Sequence, residues 1–183
     1  MTSAKLFTKS YISRIFALFA IVAIGIVLDS LSKSYFSRTL ELGQSIPGPG
    51  VLDSIFHYTL VHNTGAAWGI FGDSTLVLGV FSLIVSICIL AVALLNSGKF
   101  NIALICGMAL IASGGIGNAI DRLSLGYVVD FIEFSFFVFP VFNIADTCVS
   151  VGIVLALIGF ILYEKSKGDI GVSAEDVQGR DHE

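Results

Sequence analysis

Four long apolar stretches decide what this chain can fold into. A helix that crosses a bilayer needs about 20 predominantly apolar residues in a row. Residues 11–28, 76–95, 102–120 and 144–163 each meet that requirement. Within them only Arg14 and Asp146 carry full charge, each near the start of its stretch. Charged residues make up 13% of the chain and its mean hydropathy is +0.91, whereas a soluble domain carries about 25% charged residues. The reading is a mainly α membrane protein with four transmembrane helices. They form one domain over residues 1–163, and a flexible polar tail over 164–183 follows on the cytoplasmic side.

Several classes drop out early. There is no basic patch of the kind nucleic acids require, so no nucleic-acid partner is expected. Cys88, Cys106 and Cys148 lie in apolar runs and are odd in number, which argues against a disulfide framework and for small buried hydrophobes. No Cys/His spacing suggests zinc. Lys5, Lys9 and Arg14 give the first stretch a leader-like basic start, but its apolar run is long and no small-x-small cleavage site follows Leu28.

Four spans put both ends of the chain on one side. That side carries Lys5, Lys9, Arg14, Lys99, Lys165 and Lys167, and the other carries Lys33, Arg38 and Arg122. Basic residues near span ends favour the cytoplasm, so both termini are expected there. The two longer connections then face outward. Pro47, Gly48, Pro49 and Gly50 read as a turn. Residues 51–61 and 127–134 are rich in β-branched and aromatic residues, as strands are. Together they predict a small sheet, a β-cradle, on the outer membrane face, and residues 65–71 read as a short helical turn.

Ionisable groups at membrane depth are expensive and invite a functional reading. Here the polar residues collect at the outward ends of the spans. Asp29 and Lys33 are four apart on one helix face, placed for an ion pair or cap as much as for a site. Asn63, followed closely by Gly65, fits a turn as well as a ligand-holding position. Gly114, Asn118, Asp121 and Arg122 share a face of the third helix, where the glycines admit a close neighbour. Helix packing does not explain Asn118, almost a full turn inside its span. Asn143 fits a helix N-cap, with Asp146 in the favourable first turn. Asp130 stands among Val128, Val129, Phe131 and Ile132, and strand alternation puts it on the face of Val128 and Ile132, where an acid has no structural use.

A short connection turning at Pro140 separates Asp130 from Asp146, so the two carboxyls can meet. Two acids a few ångströms apart do not both ionise easily and hold one proton between them. That state suits hydrolysis of a peptide by water, one carboxylate acting as base and one carboxyl as acid.

Asp29…Lys33, Asn63-Thr64-Gly65-Ala66-Ala67, Gly115…Gly117-Asn118…Asp121-Arg122, Val129-Asp130-Phe131 and Phe142-Asn143-Ile144-Ala145-Asp146 resemble, in order and spacing, the motifs of the prolipoprotein signal peptidase family, signal peptidase II. The resemblance covers nearly the whole chain apart from the tail. It implies a multi-pass enzyme of the bacterial inner membrane whose site faces the periplasm. Such an enzyme removes signal peptides from diacylglyceryl-modified prolipoproteins, cleaving before the lipidated cysteine. It implies Asp130 and Asp146 as catalytic residues. Asn63, Asn118, Arg122 and Asn143 shape the site and hold substrate, Asp29 and Lys33 support it, and Asp121 serves structure. The implied partners are prolipoprotein substrates, membrane lipids and the family inhibitor globomycin, without a cofactor. Ser30 and Trp68 depart from the Gln and Phe frequent at those places, and the cradle is expected to hold the peptide by strand-like pairing. The rival reading is a small non-enzymatic four-span transporter or channel subunit whose acids line an ion path.

Overall fold

The structure, a computed structural model, describes the backbone of residues 2–65 and 75–178, with side chains over residues 11–65 and 75–167. The elements in order are α1 (Thr2–Thr39), β1 (Ser45–Pro47), a 3-10 turn (Gly50–Ser54), β2 (Phe56–Asn63), α2 (Thr75–Leu95), α3 (Ile102–Leu125), β3 (Val128–Phe134) and α4 (Ile144–Gln178). Four helical segments are long and apolar enough to cross a membrane: Tyr11–Thr39, Thr75–Leu95, Ile102–Leu125 and Ile144–Lys167. The helical turn read over residues 65–71 lies, from Ala66 onward, outside the described residues.

α3 is the axis of the bundle. Of its most apolar window 56% is buried, against 17% to 22% for the other three spans, whose outer flanks carry exposed side chains such as Phe16, Phe81 and Leu157. Three glycines let α3 hold three neighbours at once. A Cβ on Gly114 would lie 2.1 Å from the Ala145 carbonyl oxygen of α4. On Gly115 it would lie 2.2 Å from the Ser86 Oγ of α2, and on Gly117 it would lie 2.7 Å from the Asp29 Oδ2 of α1. With little hydrophobic drive between helices in lipid, close backbone approach of this kind holds them together. At the opposite end, Asn101 caps α3 by accepting from the Leu104 amide (2.9 Å) and donates to the Gly159 carbonyl of α4 (2.7 Å). Arg14, the one charge within residues 11–28, donates to the Ser97 carbonyl just past α2 (3.0 Å).

α1 continues past residue 28 as far as Thr39. The polar run from Asp29 to Lys33 does not end the helix, because both side chains find buried partners. The last turns then pack on the sheet: Phe36 stacks on Phe131 (ring centroids 4.3 Å) and lies against Tyr58 (4.6 Å), and Leu40, Leu60 and Val129 form a small core. The sheet is antiparallel, in the order β1-β2-β3. Residues 51–61 are not one strand. Gly50, at φ 59°, opens the 3-10 turn that takes up Val51 to Ser54, and only Phe56–Asn63 is extended. β1, read from the sequence as part of a turn, pairs Ser45 with Thr59 and Pro47 with His57, Pro47 being tolerated on an edge strand. Between Tyr58 and Val61 the β2–β3 register shifts by one, a bulge that increases local twist.

α4 runs on to Gln178, so the backbone of residues 164–178, within the stretch expected to be a flexible tail, is helical. Glu164, Lys165 and Lys167 are good helix formers with no Pro to stop them, and Lys167 pairs with Glu164 (3.4 Å). The three cysteines are free, but only Cys106 and Cys148 are half-buried. Cys88 is exposed on the flank of α2, where lipid accepts it as readily as a core would.

Candidate active site

The site forms where α4 begins. Asn143 is the N-cap: its Oδ1 accepts from the Asp146 amide (3.0 Å), and Asp146 Oδ2 accepts from the Asn143 amide (3.1 Å). This reciprocal box satisfies two amides that a helix start would leave unpaired. A third, the Ala145 amide, donates to Asp29 Oδ1 from α1 (2.9 Å). So Asp146 does serve the cap that the sequence suggested, yet one of its oxygens is left for another role. That oxygen, Oδ1, accepts from Asn118 Nδ2 (2.7 Å).

Asn143 also joins the two acids. Its Nδ2 donates to Asp130 Oδ1 (2.7 Å), to the Val129 carbonyl (3.3 Å) and to Asn118 Oδ1 (3.0 Å). Asn63 Nδ2 donates to the other oxygen, Asp130 Oδ2 (2.9 Å), while Asn63 Oδ1 accepts from the Gly65 amide, the turn the sequence suggested. Three asparagines, from β2, α3 and the cap of α4, therefore hold two carboxyls that come from β3 and α4. Asp130 is 1% exposed and Asn143 is fully buried. Burial first, and then the nearby Asp146 charge, push the Asp130 carboxyl from its ordinary range up to about 7, against the opposing hydrogen bonds of Asn63 and Asn143.

Behind this pair lies a second, closed cluster. Lys33 Nζ sits 2.7 Å from Asp29 Oδ2, 3.0 Å from Asp121 Oδ2 and 3.0 Å from Asn118 Oδ1. Asp121 Oδ2 also accepts from the Val129 amide (3.1 Å), which fixes the strand residue next to Asp130.

Asp130 and Asp146 open onto a cleft of about 410 Å³, also lined by Asn63, Asn118 and Arg122. Much of the rest of its wall is apolar, made by Phe134, Phe139, Pro140, Val141 and Phe142. The sequence reading missed that wall, although the run of phenylalanines from Phe134 to Phe142 was its visible signal. Arg122 Nη2 donates to the Gly65 carbonyl (3.3 Å), and its buried Nε has no partner among the described residues. On β3 beside Asp130 the backbone groups already have partners within the chain. There the Val129 amide and carbonyl are taken by Asp121 and Asn143, and the Phe131 amide by the Phe142 carbonyl (3.0 Å).

Comparison with known proteins identifies the family. The family model described as Signal peptidase (SPase) II matches residues 21–162, well over half the chain. A lipoprotein signal peptidase of Nostoc punctiforme is 42% identical over 146 residues, covering 80% of this chain and 89% of that protein. One of Clostridium acetobutylicum is 37% identical over 150 residues, covering 80% and 95%. A solved bacterial membrane enzyme superposes with a TM-score of 0.74 at 28% identity, covering 84% of this chain and 92% of that one. The chain, with its four candidate spans, is thus a multi-pass membrane protease and a member of the signal peptidase II family.

Proposed function

We propose that this protein is an aspartyl endopeptidase that removes signal peptides from diacylglyceryl-modified prolipoproteins, cutting before the lipidated cysteine. The observation behind this reading is Asn143, which bonds both carboxyls, and the two carboxyls line a cleft that mixes polar and apolar residues. Asp130, the more buried acid, carries the shared proton; Asp146, half-buried, is the base. As water attacks the scissile carbonyl, Asp146 takes one of its protons and Asp130 gives its own to the carbonyl oxygen. The diol then collapses. Its hydroxyl proton returns to Asp130, the proton on Asp146 passes to the departing cysteine nitrogen, and the signal peptide leaves as a carboxylic acid. Asn63, Asn118 and Asn143 hold the acids in place, and Arg122 stands at the cleft to meet substrate carbonyls.

The apolar wall suits a substrate whose acyl chains stay in lipid, and globomycin is expected to compete for the same cleft. The charge balance of the connections favours termini in the cytoplasm of a bacterial inner membrane and a site at its outer, periplasmic face. The test is cleavage of a precursor with and without its diacylglyceryl group by purified protein, with and without globomycin. Only the lipidated precursor should be cut, and globomycin should block it. Equal cleavage of both precursors, or ion flux in place of cleavage, would overturn the reading.

A further inference from the structure

The far end of the sheet carries an apolar surface that the chemistry does not use. From Phe134 to Ala145 the chain has no charged residue. Phe136 is 65% exposed and Val138 93%. The rings are held against one another: Phe136 packs on Phe134 and Phe137 (centroids 5.6 and 4.8 Å), and Phe137 on Phe139 (5.8 Å). Beside them the 3-10 turn presents Val51, 87% exposed. The Ser135 amide donates to the Ile55 carbonyl (3.0 Å), which fastens the two tips into one two-pronged patch. Left in water, such a patch is costly.

Its place in the chain says what covers it. Phe142 lies one residue before the cap of α4, and the flank of α4 bears exposed Val151, Val154 and Leu157 along its span. The patch therefore continues an apolar belt that already faces lipid, and aromatic residues favour the bilayer interface. We propose that Val51 and Phe136 to Val138 insert into the leaflet on the sheet's side, and that this insertion sets the height of the sheet over the cleft. Phe139 lies both beside the prong and on the cleft wall, so inserted lipid would stand at the mouth through which acyl chains enter. That consequence for activity rests on the peptidase reading; the insertion does not.

Trp68 is the one tryptophan, so Phe136→Trp in a Trp68→Phe background reports from the prong alone. In phosphatidylcholine vesicles its fluorescence should be blue-shifted and quenched by lipids brominated on their acyl chains. Water-like emission without quenching would overturn insertion, as would cross-linking between two copies at position 136 in its place. For activity, Phe136→Ser with Val138→Ser should raise KM for a lipidated precursor in vesicles roughly tenfold with kcat nearly unchanged. Phe136→Leu with Val138→Leu should restore it. A lower kcat at unchanged KM, or no change in either, would overturn the height-setting role. The quenching needs no cleavage, so it stands apart from any failure of the peptidase reading.

Discussion

Two acidic pairs lie at the same end of the bundle, and Asn118 touches both. Asp29 and Asp121 share Lys33, are closed off from the cleft, and bond the amides of Ala145 and Val129. Among the described residues Asp130 and Asp146 have no cation within ion-pair distance; they accept from amide donors and line the cleft with Arg122. A cation set between two carboxylates ties both in place as struts. Two acids without such a contact are placed, on the proposed reading, to share a proton at the opening. Residue type does not separate these roles. The placement of one lysine does.

The sharpest contrast is in cleavage. Asp130→Asn and Asp146→Asn, nearly isosteric, should each leave a folded protein whose activity falls by about 10³-fold or more, read as precursor accumulation in complemented cells. Conservation of processing in either variant would remove that residue from the pair. For the closed cluster the largest loss should be in stability. Lys33→Met strands the buried Asp29 carboxylate and the half-buried Asp121 at a cost of about 3–5 kcal/mol, seen as a lower melting temperature in detergent. Adding Asp29→Asn should recover part of it, and no recovery would mean Lys33 does not serve that charge.

A smaller effect is expected at Gly117, where an added Cβ meets Asp29 Oδ2 at 2.7 Å. Gly117→Ala should cost about 1–3 kcal/mol, read by the same melting assay. Last comes pH. Because the fold raises the Asp130 pKa from 3.8 to about 7, the native state binds that proton more tightly than the unfolded chain does. Its contribution to stability is complete below about 4 and is lost as pH rises through about 7, at up to about 1.4 kcal/mol per pH unit. The melting temperature of wild type should therefore fall across that window more steeply than that of Asp130→Asn.

Much of this was legible in the sequence, and for stated reasons. The four spans follow from apolar length, and β3 follows from its β-branched run. The Asp29–Lys33 pair and the Asn143 cap follow from helical spacing. The end of α1 was not legible, because Phe36 and Leu40 gain their burial only from a sheet formed later in the chain. Nor was the 3-10 turn at Val51, where a left-handed Gly50 outweighs β-propensity. Helical spacing read Asn143 as a cap, and only the family resemblance put it at the site; that its Nδ2 reaches Asp130 depends on how β3 returns to α4 through the Phe142 bridge to Ile132. The cleft wall was hidden in a phenylalanine run whose rings could equally have faced lipid.

The shared proton is the claim on which the rest depends, and infrared titration of the carboxyl groups reads it directly. Wild type should show a protonated carboxyl band that disappears as pH rises through about 7, and Asp130→Asn should lack that titrating band. A wild-type spectrum with no carboxyl titrating in that range, or a band unchanged in Asp130→Asn, would contradict the account.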